Sequence, residues 1–379
     1  MKRIYMDNNA TTRLSPEVLE EMLPYLRDHY GNPSSIHWFG QEARRGMDRA
    51  RGRVADFIGA SPDEIVFTSG GTEADNQALL GIADALGKPG SRIITTAIEH
   101  QAVLNSCRWL EKKGIRVTYL PVDSQCRIDL QALEDSIDDD VILISVMYAN
   151  NEVGSIQPVE EAAAIAKSRG VLFHTDAVQA AGRIPIDVRK LGVDLLSLSG
   201  HKFHGPKGCG ALFVRSGITG PVLLHGGHHE RRRRAGTENV AAIAGFGQAC
   251  RLAGMRLRDA NTIVGSLRDR LEEGILQRVA GVRVNGCRDP RLPNTLNMSF
   301  EGVDGQLLAM NLDLVGIAVS TGSACQSDTH EPSYVLSAMG CSNGQASSCL
   351  RFSLSAENTA EEVQSVVDAL PELVEGLRR

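Results

Sequence analysis

The chain has 379 residues, 42% of them hydrophobic, with 38 glycines and a formal net charge of -6. This composition suits a large globular core and leaves no basic footprint, so no nucleic-acid partner is expected. No stretch approaches the ~18 uninterrupted apolar residues of a membrane span and Met1 to Arg13 hold no signal-peptide core, so no membrane association and a cytoplasmic location are expected.

In chain order, short apolar runs at 65–68, 92–96, 117–120, 141–146, 171–174, 195–199 and 211–214 read as strands, mostly separated by helical stretches. Such alternation predicts an α/β fold with a mostly parallel seven-stranded sheet covered by helices. Beyond about residue 260 the texture changes. Helices at 263–279, 305–314 and 360–377 and strands at 282–284, 295–300 and 350–354 suggest a smaller α+β domain. The expected division is a large domain at 15–260 and a small one formed by 1–14 and 261–379. The eight cysteines show no C-x-x-C spacing and are expected to be free thiols.

Polar residues gather just past the strand ends, where open α/β sheets bind ligands. Thr68-Ser69-Gly70-Gly71-Thr72-Glu73 leads from a strand through glycines into a helix, so backbone N–H groups at Gly71 and the Thr72 hydroxyl form a candidate phosphate seat; the plainer reading is a connecting turn. Glu99-His100 follows the next strand, and the His100 imidazole could lie against a flat ring or serve a structural role. In His174-Thr175-Asp176-Ala177-Val178-Gln179, Asp176 could hold a ring nitrogen protonated or cap a helix, and Gln179 could donate to a ring oxygen. Lys202 follows the apolar run at 195–199, where an amine can lose its proton and condense with an aldehyde; it could also simply close a strand. Ser199 and His201 beside it could add phosphate contacts. Together the anion seat, the histidine, the acid and the amine describe a site for pyridoxal 5'-phosphate.

At these residues the chain also resembles the cysteine desulfurases of the NifS/IscS type, which are fold-type I pyridoxal-phosphate enzymes. The resemblance runs nearly end to end. It includes Tyr5-Met6-Asp7-Asn8-Asn9-Ala10-Thr11-Thr12, Gly31-Asn32-Pro33-Ser34-Ser35, Ala149-Asn150-Asn151-Glu152-Val153-Gly154, Arg234-Ala235-Gly236-Thr237-Glu238-Asn239 and Gly322-Ser323-Ala324-Cys325, and is nearest the nitrogen-fixation branch. It implies that Lys202 holds the cofactor covalently, Asp176 pairs with the ring nitrogen, Gln179 contacts the ring hydroxyl and His100 stacks on the ring. Thr72, Ser199 and His201 would bind the phosphate. Thr237 would reach the cofactor phosphate of a neighbouring subunit, which implies a homodimer. Asn151 and Arg351 would hold the substrate carboxylate, Arg351 by a two-pronged contact.

Cys325 narrows the chemistry, since the cofactor alone serves transamination, elimination and desulfuration equally. It lies in a small, polar segment at 320–332 that reads as a loop and could span up to about 40 Å when extended. The implied reaction takes sulfur from L-cysteine onto Cys325 as a persulfide, with Lys202 and His100 handling protons, and passes it to an iron-sulfur scaffold or another acceptor protein. A selenocysteine lyase or aminotransferase on the same fold, or a non-catalytic assembly subunit, are the alternatives. Ala346-Ser347 stands where relatives commonly carry an Ala-His pair. Cys349 reads as core or as an oxidisable thiol near the pocket. His225-Gly226-Gly227-His228-His229-Glu230 has metal-ligand residue types crowded in one loop, and no metal is expected there. Arg231 to Arg234 are expected at a dimer contact, the phosphate or an acidic partner.

Overall fold

The computed structural model describes residues 3–322 and 332–378. Cys325 therefore lies outside the described residues. The strands are β1 (Ile4–Tyr5), β2 (Ile65–Thr68), β3 (Arg92–Thr96), β4 (Arg116–Leu120), β5 (Val141–Ser145), β6 (Leu172–Asp176), β7 (Leu195–Ser199), β8 (Gly210–Val214), β9 (Val282–Val284), β10 (Thr295–Phe300), β11 (Ile317–Ala318) and β12 (Cys349–Ser353). The helices are α1 (Pro16–Arg27), α2 (Trp38–Ile58), α3 (Gly71–Leu86), α4 (Gln101–Lys112), α5 (Leu130–Asp135), α6 (Val159–Ser168), α7 (Val188–Leu191), α8 (Val240–Arg278), α9 (Gly305–Leu314), α10 (Tyr334–Ala338), α11 (Asn343–Ser347) and α12 (Ala360–Arg378).

Seven strands form the main sheet in the order β2-β8-β7-β6-β5-β3-β4. Pairings from β4 to β7 are parallel, while β8 runs antiparallel to both β2 and β7. Runs such as Leu195 to Ser199 are buried throughout because helices cover both faces. One apolar cluster joins α1, α2 and the start of α8 to one face, through Val18, Met47, Val54 and Phe246. A second packs α3 and α4 on the other, through Leu79, Ile82, Val103 and Leu110.

A separate apolar cluster contains Leu271 and Ile275 of α8, Met298 and Phe300 of β10, Phe352 of β12 and Val366 of α12. It also holds Ile4 and Met6 from the chain start, because β1 pairs in parallel with β11. Helix α8 is continuous over 39 residues, whereas a helix only from 263 is expected from the sequence. Its first half is rich in alanine and glycine, so it lacks an amphipathic stripe. Those small residues allow close packing: a Cβ on Gly245 would fall 2.6 Å from Met22 Cγ and one on Gly247 2.5 Å from Ala50 Cα. Among the described residues no helix is long and apolar enough to cross a membrane.

Candidate active site

The carboxyl ends of β2, β3, β6 and β7 deliver the predicted residues to one side of the sheet. After β2, Gly70 adopts φ 151° and ψ -175°, a conformation essentially confined to glycine. It gives α3 no side-chain cap, so the first helical N–H groups and the positive end of the helix remain for a ligand. A Cβ on Gly71 would lie 2.7 Å from Val178 Cγ2, so this glycine lets α3 approach the turn after Asp176. Ser199 is buried at the end of β7, its hydroxyl 3.7 Å from where a Cβ on Gly70 would stand. Gly71, Thr72 and Ser199 thus lie about the uncapped first turn of α3.

His201 is differently engaged, its Nδ1 sharing a 3.1 Å hydrogen bond with Thr11 Oγ1. Burial, then the nearby Lys202, Lys207 and Arg183 charges, push its pKa down to about 4. Thr237 is exposed and lines a cleft with Thr68 and Ser69 of its own chain.

Asp176, at the end of β6, accepts the Val178 N–H through Oδ1 at 2.8 Å. Burial raises its pKa, opposed by His100, by that hydrogen bond and by Lys202. His100 caps α4, with Nδ1 accepting the Ala102 N–H at 3.1 Å. The proton of a neutral ring therefore sits on Nε2. Burial lowers the His100 pKa, against the pull of Asp176 and with a further lowering by Lys202. Lys202 Nζ donates to the carbonyls of Asn9 at 2.6 Å and Ala10 at 2.9 Å. Gln179 Nε2 reaches the same Asn9 carbonyl at 3.0 Å. The N-terminal segment is thus part of the site.

Arg351 lies on β12 and is 1% exposed. Its Nη2 donates to Asp7 Oδ1 at 2.8 Å and its Nη1 to the Asn151 carbonyl at 3.0 Å. Arg351 Nε and Asn151 Oδ1 are buried without a hydrogen-bond partner among the described residues. Buried polar atoms of this kind call for a ligand or solvent. The backbone of Arg351 pairs in both directions with Ser320, at 2.6 and 3.2 Å. The two flanks of the 323–331 segment also meet: Ser333 donates to Glu152 Oε2 at 2.5 Å, and a Cβ on Gly322 would lie 3.0 Å from that oxygen. Cys349 donates to the Thr321 carbonyl at 3.2 Å, and burial pushes its thiol up to about 12, which keeps it protonated.

The 225–230 loop spends its carboxylate internally. Glu230 accepts from Arg51 at 2.6 and 2.9 Å and from the Phe67 N–H at 2.8 Å. Arg234 pairs with Glu73 at 2.8 Å, in the first turn of α3. The sequence offers no role for Glu99 beside His100; it is fully buried and accepts from Thr96 at 2.7 Å and the Met147 N–H at 2.9 Å. Nor does the sequence offer one for His174, held between Ser145 at 2.8 Å and Ser197 at 3.0 Å below Asp176.

An amine, a buried acid, an imidazole and an uncapped helix end at the carboxyl ends of β7, β6, β3 and β2 fit a pyridoxal phosphate, and the fold is that of the fold-type I enzymes using it. Residues 4–366 match the aminotransferase class-V family. The chain is 51% identical over 377 residues to cysteine desulfurase IscS of Methanosarcina thermophila, covering 100% of this chain and 93% of that protein. It is 47% identical to cysteine desulfurase IscS of Clostridium botulinum, covering 100% and 96%. A solved NifS-like protein superposes with a TM-score of 0.94 at 42% identity, covering 99% of this chain and 100% of that one. A structure of SspA in complex with cysteine gives 0.83 at 35% identity, covering 94% and 100%. The chain belongs to the aminotransferase class-V family, among its NifS/IscS-type cysteine desulfurases.

Proposed function

We propose that this chain binds pyridoxal 5'-phosphate through Lys202 and converts L-cysteine to L-alanine, leaving the sulfur as a persulfide on Cys325. Atoms balance without an outside oxidant: the cysteine C–S bond breaks, an S–S bond forms to Cys325, and the carbon that loses sulfur gains a proton. When bound, the cofactor supplies an electron sink.

The chain's own residues divide the remaining work. Gly71, Thr72, Ser199 and the remaining nitrogen of His201 would bind the phosphate, Asp176 would pair with the ring nitrogen and Gln179 would contact the ring oxygen. Arg351 and Asn151 orient the substrate carboxylate. Lys202 moves protons at the substrate carbons, and His100, whose Nε2 side is free of the Ala102 hydrogen bond, moves one at the substrate thiol. The observation that carries this reading is the backbone pairing of Arg351 with Ser320. It starts the segment bearing Cys325 beside the residue that would hold the substrate.

The decisive experiment feeds the enzyme cysteine labelled on sulfur and maps the label. One alanine per labelled Cys325 is expected, and Cys325→Ser should form neither product. Sulfide release by that variant at the parent rate would overturn the scheme.

We further infer a cytoplasmic homodimer that hands sulfur to an iron-sulfur scaffold, with Thr237 reaching the partner's cofactor phosphate. The exposure of Tyr30, Ile36, Trp38 and Phe39 within one short stretch supports a second copy there. We also propose the division into 15–260 and 1–14 with 261–379, supported by the separate apolar cluster that contains Ile4, Met6 and residues from 264 onward.

A further inference from the structure

Arg183 occupies a position that the assigned chemistry leaves unused. It is 6% exposed, and among the described residues no carboxylate lies within ion-pair distance of it. Its guanidinium is held by oxygen atoms of uncharged groups. Nη1 donates to the Gln179 carbonyl at 3.0 Å and to the Gln179 side-chain Oε1. Nη2 donates to the carbonyls of Asn8 at 3.1 Å and Lys202 at 3.4 Å. Three segments of the site therefore meet on one fork, whose planar donors are fixed relative to each other.

The backbone is shaped to bring it there. Gly182 has φ 75°, and a Cβ on it would fall 2.7 Å from Phe203 Cβ, so the turn presses against the residue after Lys202. From α8, Asn261 Nδ2 holds the Arg183 carbonyl at 2.5 Å. Burial and the nearby Arg351 lower the Arg183 pKa to about 9, which leaves the group charged at neutral pH.

Two consequences follow from this placement. With Oε1 of Gln179 taken by Arg183, the amide is oriented so that Nε2 is the end left to donate, and it points to the Asn9 carbonyl that also receives Lys202. A buried cation without a counter-charge also disfavours a second positive charge beside it. We propose that Arg183 is a positioning residue that orients the Gln179 amide and, by its charge, favours the deprotonated form of the Lys202 nitrogen. This rests on Lys202 carrying the cofactor.

The test is a pH titration of the visible absorption of the cofactor-loaded protein, with bound cofactor quantified separately. Arg183→Lys keeps the charge and should keep the midpoint. Arg183→Met removes it and should raise the midpoint by about one pH unit or more, the scale of a single nearby charge. Arg183→Gln also removes the charge while keeping an amide donor for the Gln179 and Asn8 carbonyls, and should raise the midpoint likewise, which decides the matter if Arg183→Met does not fold. A midpoint unmoved in whichever neutralised variants bind cofactor would overturn the role of Arg183 alone. A parent protein that takes up pyridoxal phosphate without any titrating band would overturn the Lys202 assignment and this inference with it.

Discussion

Asp7 and Arg351 stand 344 residues apart and meet in a 2.8 Å hydrogen bond between Asp7 Oδ1 and Arg351 Nη2. Their side chains are 18% and 2% exposed, so the arginine is the buried member. Asp7→Asn should therefore leave a buried guanidinium short of its counter-charge and cost about 1–3 kcal/mol in urea unfolding. Because the same arginine is proposed to hold the substrate carboxylate, KM for cysteine should rise by about tenfold with a smaller change in kcat. Arg351→Lys should lower kcat/KM by roughly 10²-fold, since an ammonium cannot reproduce the fork.

His100 is held neutral by burial, so its protonation falls below the ordinary value of 6.5. A reaction that uses the neutral ring should have the acid limb of its kcat/KM profile below 6.5, on the low side of an ordinary imidazole. His100→Gln should cost about 10²–10⁴ in kcat and remove that limb.

Glu99 has its pKa raised to about 8, by burial above all. The folded protein holds this proton where the unfolded chain, near 4.5, has released it. Native protein thus binds more protons between those values, and stability falls as pH rises through the window. Glu99→Gln should flatten the dependence, so that the parent loses about 1–3 kcal/mol more than the variant between roughly pH 5.5 and 8 in urea unfolding.

The Arg51–Glu230 pair is nearly dry, with side chains 8% and 2% exposed. Glu230→Ala should cost about 3–5 kcal/mol by stranding Arg51, whereas Arg51→Met with Glu230→Leu should recover much of the loss. Since Glu230 also holds the Phe67 N–H two residues before Ser69, the single variant should weaken phosphate binding, measurable by fluorescence titration with pyridoxal phosphate.

What could be read in the sequence is what is local. Thr72, Asp176, Ser199 and Lys202 each sit at or just beyond the end of an apolar run, and β2, β6 and β7 bring them to one edge of the sheet. Asn9 and Asp7 carry no comparable signal, because they act through a carbonyl and through an ion pair closed by distant segments. Glu99 looks like any surface acid until the sheet buries it. The first half of α8 escaped notice for the opposite reason: its small residues show no stripe, since two helices approach it closely. The expectation for Cys325 rests on the small, polar segment at 320–332 and on the resemblance carried by Gly322, Ser323 and Ala324.

The parallel pairing of β1 with β11 has a consequence for the order in which this protein is made. Ile4 and Met6 leave the ribosome long before their packing partners, which include Ile317 and Phe352. Asn8 and Asn9, whose carbonyls meet Arg183 and Lys202, are anchored in turn through their side-chain amides, which donate to the Ser353 carbonyl and the Thr295 hydroxyl. The sheet and its helices can assemble during synthesis, but the reaction chamber closes only when the last fifth of the chain has emerged. A nascent chain without those partners lacks the anchored carbonyls that receive Arg183 and Lys202.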